Sequence, residues 1–254
     1  MAGLCMRYFM VNQFSRTEML LGRDAMQVLA ESRVAVFGLG GVGSFAAEAL
    51  SRAGVGHLVL VDHDDVCVTN INRQLHATHK TIGLAKVEVM RRRILDINPT
   101  AEVEALKCFY PGEKPELLVR SDYHYIIDAI DTVTSKLELI LNALAQDVPI
   151  ISCMGTGNKL DPSRLEIADI YSTSVCPLAR VMRRELRKRG VDALQVVYSR
   201  EEPLIPQDWS VDDECAGNPA PIANARHIPG SISFVPSVAG LLMAGAVTRH
   251  LVNR

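Results

Sequence analysis

The sequence predicts an α/β fold built around a doubly wound, mainly parallel β-sheet. Apolar segments typical of buried strands alternate along the chain with amphipathic helical segments. The first of these strands runs into a glycine-rich turn, residues 38–43, and a helix follows at once. Parallel strands covered on both faces appear in a sequence as continuous apolar runs, as these do. The order of strand, glycine turn and helix makes the predicted fold Rossmann-like.

The elements of the first 157 residues can be justified in order. Apolar residues at helical spacing predict one or two short helices over 17–30. Asn98-Pro99 ends a later amphipathic helix, because proline cannot continue one. The predicted strands are 33–40, 57–62, 101–109, 123–131 and 149–157, and the predicted helices between them are 41–54, 83–97 and 135–148.

The pattern changes after residue 158. It predicts strands at 164–171 and 194–200, a very basic helix at 178–190 and a closing apolar helix at 234–252. Residues 201–230 are rich in Pro, Asp, Asn and Gly and are predicted to form a long loop. We therefore expect a single domain over 1–254, with a nucleotide-binding core at 14–157 and a C-terminal extension at 158–254.

Composition narrows the class of protein. The chain has 254 residues, 48% of them hydrophobic, and a formal net charge of −2, which is ordinary for a soluble domain. Such a charge gives no overall attraction to nucleic acid or membrane, so either partner would need a local patch. The first residues lack the features of a secretory signal. No apolar run reaches the roughly 20 residues of a membrane span, and the longest, 235–247, is predicted to be a buried helix.

The spacing of the six cysteines bears on metal binding and on whether the protein is in a reducing or an oxidising compartment. None forms a CxxC pair, so a structural zinc site with paired spacing is not expected. Scattered cysteines in a chain without a leader predict reduced thiols, mostly in the core, and a cytoplasmic location.

The glycine turn predicts a nucleotide site. Gly38, Gly40, Gly41 and Gly43 fit the spacing G-x-G-x-x-G between a strand and a helix, where backbone N–H groups can face a phosphate. Asp62 ends the next strand, where a carboxylate can accept hydrogen bonds from ribose hydroxyls. The alternative is a tight structural turn without a ligand. This pattern does not distinguish NAD, FAD and ATP.

Polar and cationic residues that follow favour ATP. Asn70, Arg73 and Lys86 come soon after Asp62, and Asn70 and Arg73 share a face if their segment is helical. An enzyme that cleaves ATP between the α- and β-phosphates needs fixed cations for the triphosphate and the leaving pyrophosphate. The alternative is that Arg73 and Lys86 are solvated surface charges, as most such residues are.

Together these segments resemble a known family. "GLGGVGS", "VDHDDVCVTNINRQ", "GLAKVEVM", "INP" and "IDAIDTVTSK" are similar to the adenylating domain of the ubiquitin-activating enzyme superfamily, whose bacterial members activate sulfur-carrier proteins. The resemblance covers residues 14 to about 157. Within the superfamily the chain most resembles the tRNA threonylcarbamoyladenosine dehydratases, and "LDPSRLEIADI" extends this similarity.

The resemblance implies roles for individual residues. The glycine turn would hold phosphate, Asp62 would bind the ribose, and Asp131 would hold Mg²⁺ near the α-phosphate. Mg²⁺ prefers one or two carboxylates together with phosphate oxygens. The alternative for Asp131 is a helix N-cap. The residues that would hold the triphosphate are Asn70, Arg73 and Lys86, and Gln74 would be a further nucleotide-binding residue.

Arg16, in "QFSR", matches an arginine that family members insert into the ATP site of a partner subunit. This match implies a homodimer with composite sites, in which Arg16, Arg73, Lys86 and Asp131 would be the catalytic residues. The alternative is a surface arginine.

The basic helix predicts contact with RNA. Its cations could neutralise a phosphate backbone, although a solvated amphipathic helix with the same charges is the alternative. The shorter cluster at 91–93 is interpreted as a solvated helix face. The candidate tRNA-binding residues are Arg180, Arg183, Arg184, Arg187 and Lys188.

The resulting hypothesis is ATP-dependent cyclisation of threonylcarbamoyladenosine beside the tRNA anticodon, through adenylation of the threonyl carboxylate. The alternatives are an adenylyltransferase that activates the C-terminal glycine of a sulfur-carrier protein, and an NAD-binding module. Cys176 and Cys215 are the candidates for a catalytic thiol by location, but incidental thiols are the preferred interpretation. Whether a cysteine desulfurase or another sulfur-acceptor partner docks is left open by the sequence.

Overall fold

The computed structural model describes residues 11–112, 115–207 and 229–253. The predicted absence of a signal at residues 1–10 therefore lies outside the described residues. So do Cys5, Cys215 and residues 208–228 of the predicted loop.

The described chain forms one seven-stranded sheet with helices on both faces. The strands are β1 (Arg33–Phe37), β2 (His57–Val61), β3 (Glu102–Leu106), β4 (Tyr125–Asp128), β5 (Ile150–Cys153), β6 (Leu165–Asp169) and β7 (Gln195–Ser199). The helices of four or more residues are α1 (Ser15–Leu21), α2 (Arg23–Glu31), α3 (Gly43–Ala53), α4 (Lys86–Ile97), α5 (Val133–Ala145), α6 (Pro177–Lys188) and α7 (Phe234–Val252).

The strand order is β3-β2-β1-β4-β5-β7-β6. Each neighbouring pair is parallel except β6 and β7, which are antiparallel. The chain proceeds from β1 toward one edge and then returns to place β4 on the other side of β1. Ligands of doubly wound sheets bind at such a reversal, beside the carboxyl ends of the strands. The predicted α/β, doubly wound and mainly parallel fold is confirmed.

The segment after residue 158 continues this sheet. Strand β7 pairs with β5, and β6 pairs with β7 and forms the edge of the sheet. The predicted strands were longer than the observed ones, because the polar or glycine-containing ends of 33–40, 123–131 and 149–157 leave the ladder and form loops above the sheet.

Helix α7 lies in the core on one face of the sheet. It packs so closely on α3 that a Cβ at Gly240 would lie 2.2 Å from the carbonyl oxygen of Val42. Glycine is needed there because any side chain would separate the two helices. By length and composition α7 could span a membrane, but half of it is buried against the rest of the fold. The prediction of a buried apolar helix is confirmed for this segment.

The cysteines differ in part from the prediction. Cys108, Cys153 and Cys176 carry free thiols, and the last two are buried. Cys67 is disulfide-bonded in the structure, so the prediction of scattered reduced thiols is wrong for this residue. The sequence has no CxxC spacing that would have indicated this bond, and whether two cysteines can pair depends on their distance in the fold.

Candidate active site

A single cavity of about 790 Å³ lies at the carboxyl ends of β1, β2, β4 and β5. Its lining combines the glycine turn after β1, the acidic end of β2 and the loops after β4 and β5. The sequence-predicted residues that line it are Gly38, Gly40, Gly41, Asp62, Asn70, Arg73, Gln74, Lys86 and Asp131. The fold thus brings together groups that the sequence separates by more than ninety residues.

The glycine turn is compact because its own backbone fills the space a side chain would need. A Cβ at Gly43 would lie 1.8 Å from the carbonyl oxygen of Gly38, far inside van der Waals contact. Gly38 itself has φ +86°, a conformation that other residues rarely adopt. The turn leads into the N-terminus of α3, where N–H groups and the helix dipole favour an anion.

Asp62 fixes the glycine turn from the neighbouring strand. The backbone N–H of Leu39 donates to its Oδ2 at 2.6 Å, and the N–H of Asp64 donates to its Oδ1 at 2.8 Å. Each carboxylate oxygen can accept further hydrogen bonds. The carboxylate is therefore held at the cavity wall with capacity left for ribose hydroxyls.

The segment after β2 places Asn70 and Arg73 by turns and not by a continuous helix. A 3₁₀ helix covers Val68–Asn70, and the backbone N–H of Arg73 donates to the carbonyl of Asn70 at 3.1 Å. Asn70 itself caps the turn, because its Oδ1 accepts from the N–H of Cys67 at 3.1 Å. The helical relationship considered for Asn70 and Arg73 is therefore replaced by a turn, in which both still line the cavity.

Arg73 and Asp131 line the same cavity and lie close enough for their charges to interact. Burial lowers the pKa of Arg73, and the charge of Asp131 opposes that shift. The Arg73 guanidinium also donates to the carbonyl of Thr69 at 2.9 Å and to Oδ1 of Asn72 at 3.0 Å. These acceptors hold one edge of the guanidinium and leave its other N–H groups available for phosphate oxygens.

Lys86 is a buried cation at the first position of α4. Its Nζ lies 2.7 Å from Oδ2 of Asp64, and its backbone N–H donates to the carbonyl of Asp64 at 3.1 Å. The N-terminus of a helix adds positive potential at the same place. Lys86 is therefore not the solvated surface charge of the alternative interpretation.

Asp131 follows β4 and is exposed at the cavity. It does not cap α5, because the residue before that helix is Thr132 and no side-chain hydrogen bond caps the helix. The N-cap alternative for Asp131 is therefore wrong, and its carboxylate remains available to a ligand.

A buried ion pair that the sequence analysis missed supports the strand that carries Asp131. Asp128 and Lys136 are both fully buried, with Nζ 2.8 Å from Oδ2. Asp128 also accepts from the hydroxyl of Ser152 and from the N–H of Ile130, while Lys136 donates to the carbonyl of Ile130. This network fixes the turn between β4 and Asp131. The signal in the sequence was an Asp and a Lys eight residues apart at a strand end and in the following helix.

The described residues contain a cluster of acids and histidine at the end of β2, formed by Asp62, His63 and Asp64. Asp62 accepts two backbone N–H groups, and Asp64 pairs with Lys86 and with His63. Each of these two carboxylates thus already accepts hydrogen bonds from protein groups, and Asp64 is also paired with a cation. Asp131, which was the predicted metal ligand, lies outside this cluster.

Two further elements complete the cavity. Pro236 of α7 packs on the glycine turn, since a Cβ at Gly41 would lie 3.0 Å from the Pro236 ring. Lys159, in the loop after β5, is buried and also lines the cavity.

Cys153 and Cys176 also line the cavity. Burial raises the pKa of Cys153 to about 12, so that thiol is protonated at neutral pH.

Arg16 is exposed on α1 and does not line the cavity of its own chain. Met19 and Leu20 lie three and four residues beyond it, so they share its helical face. Both are 86% exposed. An apolar face this exposed is typical of a surface that contacts another chain.

Two of the arginines of the basic helix α6 contact other residues of the fold. Ala179, Met182 and Leu186 are buried, as the amphipathic pattern indicates. Arg183 donates to the carbonyl and hydroxyl oxygens of Thr173, and the Arg187 guanidinium lies 5.1 Å from the centre of the Tyr171 ring.

Glu185 neutralises part of the charge of α6. It accepts from Arg189, Lys188 and Arg184, and these hydrogen bonds lower its pKa to about 2. The Arg180 side chain is exposed and bonds to none of the described residues. The phosphate-binding capacity of α6 is therefore smaller than its five cations suggest.

The cluster at residues 91–93 was interpreted as a solvated helix face, and this is wrong for Arg93. Its Nε lies 2.6 Å from Oε2 of Glu48 on α3. Burial raises the pKa of Glu48, but hydrogen bonds from Arg93 and Arg52 outweigh it and the net pKa is lowered. Arg93 thus joins α4 to α3.

Comparison with known proteins gives the same assignment over nearly the whole chain. The family model described as "ThiF family" matches residues 14–254. The chain is 49% identical over 245 residues to the tRNA threonylcarbamoyladenosine dehydratase of Bacillus subtilis (strain 168), covering 96% of each chain.

Solved structures agree. The crystal structure of E. coli tRNA N6-threonylcarbamoyladenosine dehydratase with AMP superposes with a TM-score of 0.83 at 33% identity, and covers 95% of this chain and 94% of that one. A structure of the same enzyme with ATP gives a TM-score of 0.82 at 32% identity with the same coverage. This chain therefore belongs to the ThiF family and, within it, to the tRNA threonylcarbamoyladenosine dehydratases.

Proposed function

We propose that the protein catalyses ATP-dependent dehydration of threonylcarbamoyladenosine beside the anticodon of tRNA. One observation carries the proposal beyond family membership: a single cavity holds the glycine turn, Asp62, Arg73, Lys86 and Asp131. This set combines a phosphate-binding turn, a ribose acceptor, two cations and a free carboxylate. Cleavage of ATP at the α-phosphate requires such groups to bind the nucleotide and to compensate the negative charge that develops. A hydride-transfer site would not need the two cations and the free carboxylate.

The chemistry proceeds in two steps. An oxygen of the threonyl carboxylate attacks the α-phosphorus of ATP, the bond to the bridging oxygen breaks, and pyrophosphate leaves. The product is a mixed anhydride of the carboxyl group with AMP. The carbamoyl group then attacks the activated carbonyl carbon, one carbamoyl N–H loses its proton, and the bond from that carbon to the AMP oxygen breaks, so that AMP leaves. The nucleoside has lost one water in total.

The protein contributes positioning and charge compensation. Arg73 and Lys86 provide cations for the triphosphate and for the charge that develops on leaving pyrophosphate. The paired Asp64 keeps Lys86 in place at the start of α4. The reacting carboxylate and carbamoyl groups belong to one substituent, so holding it in the correct conformation provides much of the rate enhancement.

Mg²⁺ fits the cavity at Asp131. Its carboxylate is exposed to the cavity and does not cap a helix, and the nearby Arg73, which lines the same cavity, supports the proposal that phosphate oxygens bind beside it. When bound, the ion would neutralise phosphate charge together with the carboxylate. Asn70 and Gln74 complete the set of nucleotide-binding residues in the proposal. Gln74 is buried, and its Oε1 bonds to none of the described residues.

We further propose that residues 1–254 form one adenylating domain and act as a homodimer in the cytoplasm. The exposed apolar face of α1 supports the dimer, because Arg16 lies on that face and would reach the partner's cavity once the face is covered. Helix α6 would face the tRNA backbone, with Arg180, Arg184, Arg187 and Lys188 as phosphate contacts and Arg183 holding the loop before the helix.

Release of AMP tests the proposed substrate. The purified protein with ATP and Mg²⁺ should form AMP and pyrophosphate when threonylcarbamoylated tRNA is added, and should not do so with the same tRNA lacking the modification. AMP formed only with a sulfur-carrier protein would instead assign the chain to carrier activation, with the same ATP site. A cysteine desulfurase or sulfur acceptor as partner would be tested by adding it to this reaction.

A further inference from the structure

We propose that Lys159 binds the carboxylate of the threonylcarbamoyl group and holds it for attack on the α-phosphorus. The inference rests on the proposed function, because it names the group that recognises that substrate. Lys159 is only 3% exposed and lines the cavity. A buried ammonium is costly unless an anion or several acceptors compensate it.

The three buried lysines of the described chain differ in how they are compensated. Lys86 pairs with Asp64, and Lys136 pairs with Asp128. Lys159 has no such carboxylate among the described residues. Its one hydrogen bond is to the backbone carbonyl of Glu201 at 2.6 Å. An ammonium has three N–H donors, so two remain for a ligand in the cavity.

The loop that carries Lys159 is held firmly by other segments. Asn158 has φ +58°, accepts from the N–H of Gly230 at 2.6 Å and donates its own N–H to the carbonyl of Gly230 at 2.8 Å. Its carbonyl accepts from Leu204 at 2.8 Å.

Glu201, whose backbone carbonyl accepts from Lys159, does not use its side-chain carboxylate to pair with the ammonium. The side chain of Glu201 accepts from the N–H groups of Leu160 and Asp161, both at 2.9 Å. This arrangement directs the Glu201 carboxylate to the loop and only its carbonyl to Nζ. The ammonium is thus fixed in position while its charge is left for an external anion.

The sheet order separates Lys159 from the triphosphate cations. Asp62 follows β2, the glycine turn follows β1 and Asp131 follows β4, in that order across the sheet. Lys159 comes from the loop after β5, one strand beyond Asp131. A nucleotide laid from β2 across β1 brings its phosphates toward β4, so the second reactant approaches from the β5 side. Of the anions on this reactant, the threonyl carboxylate is the one that must enter the cavity to attack the α-phosphorus.

The same ammonium could bind a phosphate of ATP, so the test must separate the two anions. The variant is Lys159→Gln, whose amide can still donate to the Glu201 carbonyl while the charge is removed. Lys159→Arg keeps the charge, and Lys80→Met removes a charge from an exposed lysine as the matched control. Binding of modified and unmodified tRNA is measured with an ATP analogue that cannot be cleaved at the α-phosphate, alongside the affinity for that analogue and the melting temperature.

The expected result is that wild-type protein and Lys80→Met bind the modified tRNA more tightly than the unmodified one. In Lys159→Gln this preference should fall by about tenfold to a hundredfold, the range for loss of a charged hydrogen bond. Affinity for the ATP analogue and for unmodified tRNA should be unchanged, and Lys159→Arg should recover part of the preference.

Other outcomes overturn the assignment. A weaker affinity for the ATP analogue with the preference intact would make Lys159 a phosphate ligand. No preference in wild-type protein, or an unchanged preference in a folded Lys159→Gln, would remove the carboxylate role. These binding results do not depend on turnover, so failure of the dehydration reaction itself would be recognised separately.

Discussion

Gly43 approaches the carbonyl of Gly38 so closely that the two residues leave no room for a side chain between them. A Cβ on Gly43 would lie 1.8 Å from that oxygen, whereas a Cβ on Gly40 would have Nε2 of Gln74, at 3.9 Å, as its nearest neighbour. Glycine at position 43 is thus required by the fold itself. Gly40 instead borders open space in the cavity, where the proposed nucleotide would bring a phosphate close to the backbone.

The two positions should therefore respond differently to alanine. We expect Gly43→Ala to lower the melting temperature, because the backbone must move to remove the clash. Gly40→Ala should melt like wild type but bind ATP more weakly, since its methyl group would occupy space beside the phosphates. Thermal melting and ATP titration measure both effects. Normal ATP affinity in Gly40→Ala would show that phosphate does not approach this residue.

His76 should make stability depend on pH. It is buried, and neither ring nitrogen bonds to a described residue. Burial lowers its pKa from 6.5 to about 4, and the charges of Lys86 and Arg93 add to the shift. Between these values the unfolded chain binds a proton that the folded protein does not. The free energy of unfolding should therefore fall as the pH is lowered from 6.5 toward 4.

The variant His76→Leu isolates this contribution. Its free energy of unfolding should fall less than that of wild type over the same pH range, with a difference of up to roughly 3 kcal/mol from about 1.4 kcal/mol per pKa unit. Urea unfolding at several pH values provides the measurement. Parallel pH curves for the two proteins would mean that His76 titrates normally in the fold.

Helix α6 should contribute to tRNA affinity through Arg180. This side chain is exposed and has none of the internal contacts that engage Arg183 and Arg184. We expect Arg180→Ala to weaken binding of modified and unmodified tRNA alike and to reduce the slope of log affinity against log salt by about one. Arg92→Ala, at an exposed arginine on α4, is the matched control. Equal effects of both substitutions would argue against a tRNA surface on α6.

Arg16 should act in the cavity of the partner subunit. Arg16→Ala and Asp131→Ala should each abolish most activity as homodimers. Mixing the two after subunit exchange should restore part of it, because one site of each mixed dimer then combines an intact Asp131 with an intact Arg16. Dehydration activity of the mixture is compared with that of each variant alone. If mixing restores nothing although mass measurements show mixed dimers, Arg16 does not complete the site in trans.

The sequence predicted the fold well because its signals are local. Continuous apolar runs, glycine turns and helical spacing depend on neighbouring residues, so the strands β1, β2, β4 and β5 were placed to within a few residues. The ends of these strands were overestimated, because their polar or glycine-containing last residues leave the sheet and form the loops around the cavity.

The site was predicted only where residues belong to motifs. Asp62 and Lys86 stand in such segments, and the structure places both at one cavity. Lys159 and Pro236 were missed because their positions depend on how distant segments pack: Lys159 on the contact with Glu201, and Pro236 on the approach of α7 to the glycine turn. The disulfide at Cys67 was also not predicted, because no CxxC spacing in the sequence indicates it.

The most direct test of the proposed reaction is the mass of the modified nucleoside after incubation of threonylcarbamoylated tRNA with the protein, ATP and Mg²⁺. With wild-type protein the nucleoside should lose one water. In Arg73→Ala and Asp131→Ala the rate of this loss should fall by about a hundredfold or more, the order expected when one charge-stabilising group is removed. An unchanged nucleoside mass with wild-type protein, or full activity in both variants, would contradict the proposed reaction.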